Sequence, residues 1–146
     1  MVRLLQRDAI PEVMPFLRDS SPRVVRTAGR LLRPWITQIP SADLLAVVLE
    51  ADTFFARRHA CELLAAQGKW SSFPWLLEAC VKAEPETAEA AVLMIQSWCS
   101  PGQSYRVFTR PSVEEQKTIR EMLARHQSQL PEQLVQQIER ELSLYS

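Results

Sequence analysis

The chain has 146 residues, enough for one domain of ordinary size. Hydrophobic residues make up 47% and charged residues 23%, which is typical of a folded protein and argues against intrinsic disorder. Seventeen basic residues balance seventeen acidic ones, and this zero net charge argues against a strongly basic nucleic-acid-binding protein and against an acidic tail.

Prolines and apolar periodicity predict helices along most of the chain. The first two helices are expected at about 8–17 and 22–32. The third runs from 41 to a break at 52–53, and the fourth runs from that break to 67. The remaining four are expected at about 71–82, 86–98, 112–127 and 131–145. Several helix ends carry specific signals: Ser20 or Ser21 and Ser41 as N-caps, Gly68 as a C-cap, and a capping box that begins at Ser112. Strand signals are almost absent, so the expected class is all-α.

The second helices of the first three units repeat at intervals of 32 and 31 residues. The first interval places Arg26 on Arg58 and Ala28 on Ala60, and the second places Ala60 on Ala91. Leucines at 31 and 32 coincide with leucines at 63 and 64 and then with Met and Ile at 94 and 95. One helix pair cannot bury its apolar faces alone, whereas three stacked pairs can. The repeat therefore predicts an α-solenoid.

The first unit carries a recognisable pattern within residues 14–28. Pro15 lies within the first helix, Asp19 at the turn, and Val25-Arg26 and Ala28 in the second helix. This stretch resembles a HEAT-like repeat of the phycobilisome-lyase type. The resemblance implies a right-handed stack of helix pairs, and because that repeat is common in non-enzymes, its name alone does not imply lyase activity.

The later units keep part of this pattern. The second unit retains three features, Asp52, Arg58 and Ala60, but lacks the proline. The third retains Pro74 and Ala91 and has glutamate near the other two positions, Glu84 and Glu89. We therefore expect HEAT-like repeats over 1–99 (about 8–34, 41–68 and 70–99), a loop at 100–111, and a capping helical hairpin at 112–146, which covers the apolar end of the solenoid.

An arginine stripe is the most informative surface feature. In the helix at 22–33, apolar residues fall on one side and Arg23, Arg26, Arg30 and Arg33 on the other. Residues 1–60 hold nine basic and six acidic side chains (+3), and residues 61–146 hold eight and eleven (−3). Arginine supplies fourteen of the seventeen cations, and its planar fork suits carboxylate and phosphate groups.

Three interpretations of the stripe stay open. It is a solvated face in which Arg26 and Arg58 bond turn carboxylates such as Asp19 and Asp52, a surface for an acidic protein segment, or a nucleic-acid site. HEAT-like alkylpurine glycosylases bind DNA on such a face, but they are longer and need a Trp/Asp/Arg cleft that we do not find in the sequence. Four arginines on one helix are also a small footprint for DNA. The leading prediction is a non-enzymatic scaffold that binds another protein, with nucleic acid as the alternative.

Aromatic residues give two further candidate contacts. Most are expected in the core between repeats, but Trp70 follows Lys69 before a predicted helix, where it would be exposed as an interface anchor. In the loop, Tyr105, Arg106 and Phe108 form a candidate binding element, although Phe108 would equally fill the gap before the cap. The predicted partner-binding residues are therefore Arg23, Arg26, Arg30, Arg33, Arg57, Arg58 and Trp70, with Tyr105, Arg106 and Phe108 as loop contacts.

The sequence offers little sign of catalysis, a metal or a cofactor. Cys61, Cys80 and Cys99 are evenly spaced, which does not fit a zinc site with His59 or His126, and they are expected to be reduced core thiols. A Cys61 thiolate stabilised by the neighbouring arginines is the weaker alternative. The absence of a signal peptide and of a long apolar run predicts a cytoplasmic protein. Its oligomeric state is not predicted.

Overall fold

Every regular element in residues 7–99 and 110–145, the part of the chain that the computed structural model describes, is a helix. The all-α class is thus confirmed. The α-helices of these residues are α1 (Ile10–Val13), α2 (Pro22–Leu32), α3 (Ser41–Glu50), α4 (Phe54–Ala66), α5 (Lys69–Lys82), α6 (Pro85–Trp98), α7 (Val113–His126) and α8 (Glu132–Ser143). Shorter 3-10 helices cover Arg7–Ala9, Met14–Arg18, Arg33–Gln38 and Gln127–Gln129.

Side-chain caps explain where three of the helices begin. The hydroxyls of Ser21 and Thr53 accept hydrogen bonds from the backbone N–H three residues on, at 3.5 and 3.2 Å. At α7, Ser112 N–H donates to Glu115 Oε1 at 2.9 Å, and Glu115 N–H donates to Ser112 Oγ at 3.0 Å. These bonds satisfy N–H groups that the first turn leaves without intrahelical acceptors. The predicted cap at Ser21 and the capping box at Ser112 are confirmed.

The single helix predicted over residues 8–17 is wrong. Only Ile10–Val13 is α-helical, and the tighter 3-10 helix Met14–Arg18 follows it. Pro15 has no N–H to donate to the carbonyl of Pro11, so the α-helical hydrogen-bond ladder cannot continue through it. The 3-10 segment nevertheless buries Leu17 and packs on α2, so it takes the place of the first helix of the pair.

Two other helix starts differ from the predictions. Pro40 occupies the N-cap position of α3, and the Ser41 hydroxyl instead donates to Gln67 Oε1 at 2.7 Å. Helix α5 begins at Lys69, directly after Gly68, rather than at residue 71. Gly68 has φ +125°, a backbone conformation that residues with a side chain rarely adopt, so glycine suits the junction between α4 and α5.

The helices pack in two rows. Helices α2, α4, α6 and α8 contact one another in succession, as do α3, α5 and α7, and the rows join where α3 packs on α4 and α5 on α6. Stacked helix pairs make contacts in this order, so the arrangement is compatible with the predicted solenoid. Helices α7 and α8 lie against α5 and α6, where the C-terminal cap is expected.

Two buried cations connect elements that are distant in sequence. Arg57 is 6% exposed; its Nε donates to Thr87 Oγ1 at 2.9 Å and its Nη1 to the Ala51 carbonyl at 2.8 Å. Lys69 is also 6% exposed, and its Nζ lies 2.8 Å from Glu141 Oε1. The first cation ties α4 to α6, and the second ties α5 to α8. Both hold the face formed by the even-numbered helices in place.

Candidate functional site

One side of α2 and the start of the 3-10 helix after it carry four exposed arginines, Arg23, Arg26, Arg30 and Arg33. The other side is buried through Val25, Ala28, Gly29 and Leu32. This split places the arginine stripe at the surface, as the helical spacing predicts. Arg23 lies apart from the other three, because it lines a separate apolar groove with Phe16, Val24 and Leu31.

Two adjoining clefts lie where α2 faces α4. The first, of about 290 Å³, is lined by Arg26, Gly29, Arg30, Arg33, His59, Glu62 and Leu63. The second, of about 300 Å³, is lined by Arg26, Phe55, Arg58, His59 and Glu62. Because they share Arg26, His59 and Glu62, they form one depression, which we call the arginine cleft. Glu62 is the one carboxylate among these lining residues, so positive charge dominates the cleft.

His59 forms the floor of the arginine cleft. Its Nε2 is buried against Gly29 and has no hydrogen-bond partner among the described residues, and its ring stacks on Phe55 with centroids 6.0 Å apart. Burial lowers the pKa of His59; Glu62, 3.6 Å from Nδ1, opposes this shift, and Arg33 and Arg26 add to it. The imidazole is therefore neutral at pH 7, and the positive charge of the cleft comes from the arginines.

Arg26 and Arg58 have partners other than the turn aspartates expected for a solvated face. Arg26 lies over the Phe55 ring, 5.1 Å from its centroid, and Arg58 Nε lies 3.7 Å from Glu62 Oε1. The Asp19 carboxylate instead accepts the Ser21 N–H at 2.8 Å. Both guanidinium groups therefore stay on the cleft side of α2 and α4, and Phe55 holds Arg26 in position through a cation–π contact.

Two predicted partner-binding residues are buried. Arg57 bonds Thr87 and Ala51, and its Nη2 pairs with Glu84 at 3.2 Å, so its guanidinium fixes α4 to α6 rather than facing a partner. Trp70 is 4% exposed, because α5 begins before it and turns its ring toward Phe73 and Tyr145. Neither side chain can serve as the surface contact that the sequence suggests. The candidate loop contacts Tyr105, Arg106 and Phe108 lie outside the described residues.

A third cleft, which the sequence reasoning missed, continues the same face between α4 and α6. It has a volume of about 740 Å³ and is lined by Phe54, Arg58, Glu62, Glu86, Glu89, Ala90, Leu93 and Met94. We call it the acidic cleft. Its signal was present in the sequence, because residues 86, 89, 90 and 93 recur at the three- and four-residue spacing that places them on one side of a helix. The repeat pattern alone marks Glu89 only as a departure from the arginine found at this position in the first two units.

The cysteine thiols are not activated. Burial raises the pKa of Cys61 and of Cys80 to about 12 and that of Cys99 to about 11. These thiols are thus protonated at neutral pH, and the positive charges near Cys61 do not produce the thiolate considered as a weaker alternative. Within residues 7–99 and 110–145, no three His, Cys, Asp or Glu side chains are grouped to hold a metal ion.

Comparisons with protein-family models, with curated proteins and with solved structures return no match. The resemblance to phycobilisome-lyase-type HEAT repeats therefore rests on the sequence pattern alone. In the described part of the chain, no helix combines the length and apolar character needed to span a membrane.

Proposed function

We propose that this chain is a non-enzymatic, cytoplasmic interaction module of the HEAT-like type that binds an acidic segment of another protein. The arginine cleft is the proposed binding site, and Arg26, Arg30, Arg33 and Arg58 are the side chains that would pair with carboxylates. Exposed guanidinium groups form two-pronged hydrogen bonds with carboxylates, which gives both charge and geometric recognition. The solenoid architecture is part of this proposal.

The observation that carries the proposal is the grouping of these arginines around a shared depression. Four cationic side chains from three elements (α2, the 3-10 helix that follows it, and α4) line the arginine cleft with one carboxylate among them. Arg26 is held by Phe55, and a side chain that is already ordered loses less conformational entropy when it binds. An acidic segment would therefore meet a partly organised set of donors.

An acidic protein segment fits this face better than nucleic acid does. Glu62 lies within the arginine cleft, and Glu86 and Glu89 line the next cleft on the same face. A phosphate backbone laid across α2, α4 and α6 would pass these carboxylates and be repelled by them, whereas a short acidic segment can pair with the arginines without reaching Glu86 and Glu89. DNA affinity depends on the number of phosphates neutralised, and the cationic part of the face is small.

The proposal that the chain is not an enzyme rests on the protonation of its cysteine thiols and on the position of His59. The cysteine thiols are protonated, and the unpaired nitrogen of His59 faces the backbone of α2 rather than open space. A general base must reach the proton that it removes, and a thiol nucleophile must be ionised. Neither condition is met by these groups.

Charge reversal tests the site. We expect Arg30→Glu combined with Arg33→Glu to weaken binding of a fluorescein-labelled glutamate peptide by roughly 10- to 100-fold, since each reversal replaces an attraction with a repulsion. Fluorescence anisotropy at low ionic strength measures this change. Arg120→Glu combined with Arg125→Glu, at two exposed positions of α7, is the matched control and leaves affinity unchanged. Equal affinity of all three proteins for the peptide would rule out the arginine cleft.

A DNA duplex in the same assay tests nucleic-acid binding, which is the alternative function. If the duplex binds more tightly than the glutamate peptide, with a steep fall in affinity as salt rises, the nucleic-acid function is favoured instead. Circular dichroism of each variant verifies that the helices are intact.

A further inference from the structure

The arginine cleft and the acidic cleft adjoin on one face formed by α2, α4 and α6, and we call the two clefts together the groove. Arg58 and Glu62, both on α4, line both clefts, so the arginine cleft and the acidic cleft meet at this pair of side chains, whose Nε and Oε1 atoms lie 3.7 Å apart. The rows of helix contacts also place α4 between α2 and α6. A chain segment that crosses α4 can therefore contact both clefts.

The groove has opposite charges at its two ends and an apolar patch at one of them. Arg26, Arg30 and Arg33 lie at the α2 end, whereas Glu86 and Glu89 are exposed at the α6 end. Beside these glutamates lies Leu93, which is 58% exposed, with Phe54, Ala90 and Met94. Leu93 and these three neighbours together form an apolar patch that an apolar side chain of a ligand could cover.

From this polarity, we infer that the partner segment has two charged ends: carboxylates that enter the arginine cleft and, farther along, an apolar residue followed by basic ones that enter the acidic cleft. The inference rests on the proposed function and specifies its ligand. A uniformly acidic segment would pair with the arginines but be repelled by Glu86 and Glu89. Complementary ends also determine the direction in which the segment lies.

Helix packing sets the length of the segment. Neighbouring packed helices have axes about 8–10 Å apart, so α2 and α6 are separated by roughly 16–20 Å across α4. An extended chain advances about 3.3 Å per residue, and it covers this distance in about five or six residues. The acidic and basic ends of the ligand are expected at about that separation.

Three synthetic peptides test the inference by fluorescence anisotropy. The first has two glutamates, the spacer Gly-Leu-Leu-Gly and two lysines, which separates its charges by about five residues. The second peptide has the same amino-acid composition as the first, but its glutamates and lysines alternate along the chain. The third replaces the lysines of the first with glutamates. We expect the first to bind roughly fivefold more tightly than the second, because only the first matches both ends of the groove.

Charge reversal at the acidic end of the groove is the second part of the test. Glu86→Lys with Glu89→Lys is expected to weaken the first peptide about tenfold and to tighten the all-acidic peptide, because repulsion becomes attraction. Glu121→Lys with Glu139→Lys, at exposed positions of α7 and α8, is the control with no effect expected. Equal binding of the first two peptides, or no effect of the Glu86 and Glu89 changes, overturns the inference. The proposed function still stands if reversal of Arg30 and Arg33 weakens the all-acidic peptide.

A second copy of the chain is the competing occupant, because two copies facing each other in opposite directions would also match charge for charge. Analytical ultracentrifugation of the full chain distinguishes the two cases. Dimerisation that is lost in Arg30→Glu and restored in Arg30→Glu/Glu89→Arg would identify the second copy and overturn the inference. If the chain is a monomer and binds the first peptide as described above, the inference is supported.

Discussion

The contact between Gly29 and His59 determines how closely α2 approaches α4, and Gly29→Ala perturbs it directly. A Cβ at Gly29 would overlap His59 Nε2 and lie 3.0 and 3.2 Å from Cδ2 and Cε1 of the same ring. The imidazole would have to move away. That movement disturbs its stack with Phe55 and its 3.6 Å contact with Glu62.

Two opposing effects set the size of the change. Alanine in the interior of a helix is more favourable than glycine by about 1 kcal/mol. Overpacking of a well-filled contact costs about 1–3 kcal/mol. We expect the steric cost to exceed the helical gain, so that Gly29→Ala lowers the free energy of unfolding by about 1 kcal/mol. This result would be the reverse of the usual effect of such a substitution in a helix.

A double-mutant cycle isolates the contact. Urea unfolding followed by circular dichroism gives the free energies of unfolding of the unaltered chain, Gly29→Ala, His59→Ala and the double variant. Without the imidazole, Gly29→Ala is expected to stabilise the protein by up to about 1 kcal/mol. The same substitution therefore changes sign between the two backgrounds. Equal stabilisation in both would refute this account of how α2 packs on α4.

Three further predictions concern the pH dependence of stability, a buried ion pair and a helix cap. Because the lowered pKa of His59 means that the unfolded chain takes up its proton first, stability should fall as pH drops below about 6.5, and His59→Gln should reduce this fall in urea unfolding from pH 7.5 to 5. Glu141→Ala should cost about 3–5 kcal/mol because it removes the carboxylate from buried Lys69, whose Nζ keeps its 3.2 Å hydrogen bond to the Trp98 carbonyl. Lys69→Met with Glu141→Leu should cost far less, and thermal melts of both variants measure the two losses. Ser112→Ala should lower the free energy of unfolding by about 1 kcal/mol, as measured by the same thermal melts. An unchanged free energy would show that the capping box does not stabilise the protein.

Local signals in the sequence were enough to predict the helices. The caps at Ser21 and Ser112 and the unusual backbone angle of Gly68 each depend on residues within a few positions, so a single sequence carries the information. The errors at α1 and α3 were also local. Pro15 interrupts hydrogen bonding more strongly than the apolar periodicity implies, and Pro40 takes the cap position that Ser41 was expected to hold.

The candidate site depended on contacts that local patterns do not contain. Arg57 and Arg58 are neighbours on α4, yet Arg57 is buried because Thr87 and Glu84, far along the chain, lie within reach of its guanidinium. A rotation of about 100° per residue explains why Arg58 faces the groove instead. The sequence shows two adjacent arginines, and only the packing of α6 on α4 separates the structural one from the surface one.

The zero net charge has a different meaning once the groove is considered. Its two ends are roughly 16–20 Å apart, about twice the Debye length at physiological ionic strength, so each end acts on a ligand as a separate patch. At low salt the Debye length reaches about 30 Å, and the fields of the two ends overlap and partly cancel. Lowering the salt should therefore accelerate association with an acidic ligand less than the number of arginines suggests. The polarity of the groove contributes to orientation and specificity at close range more than to long-range attraction.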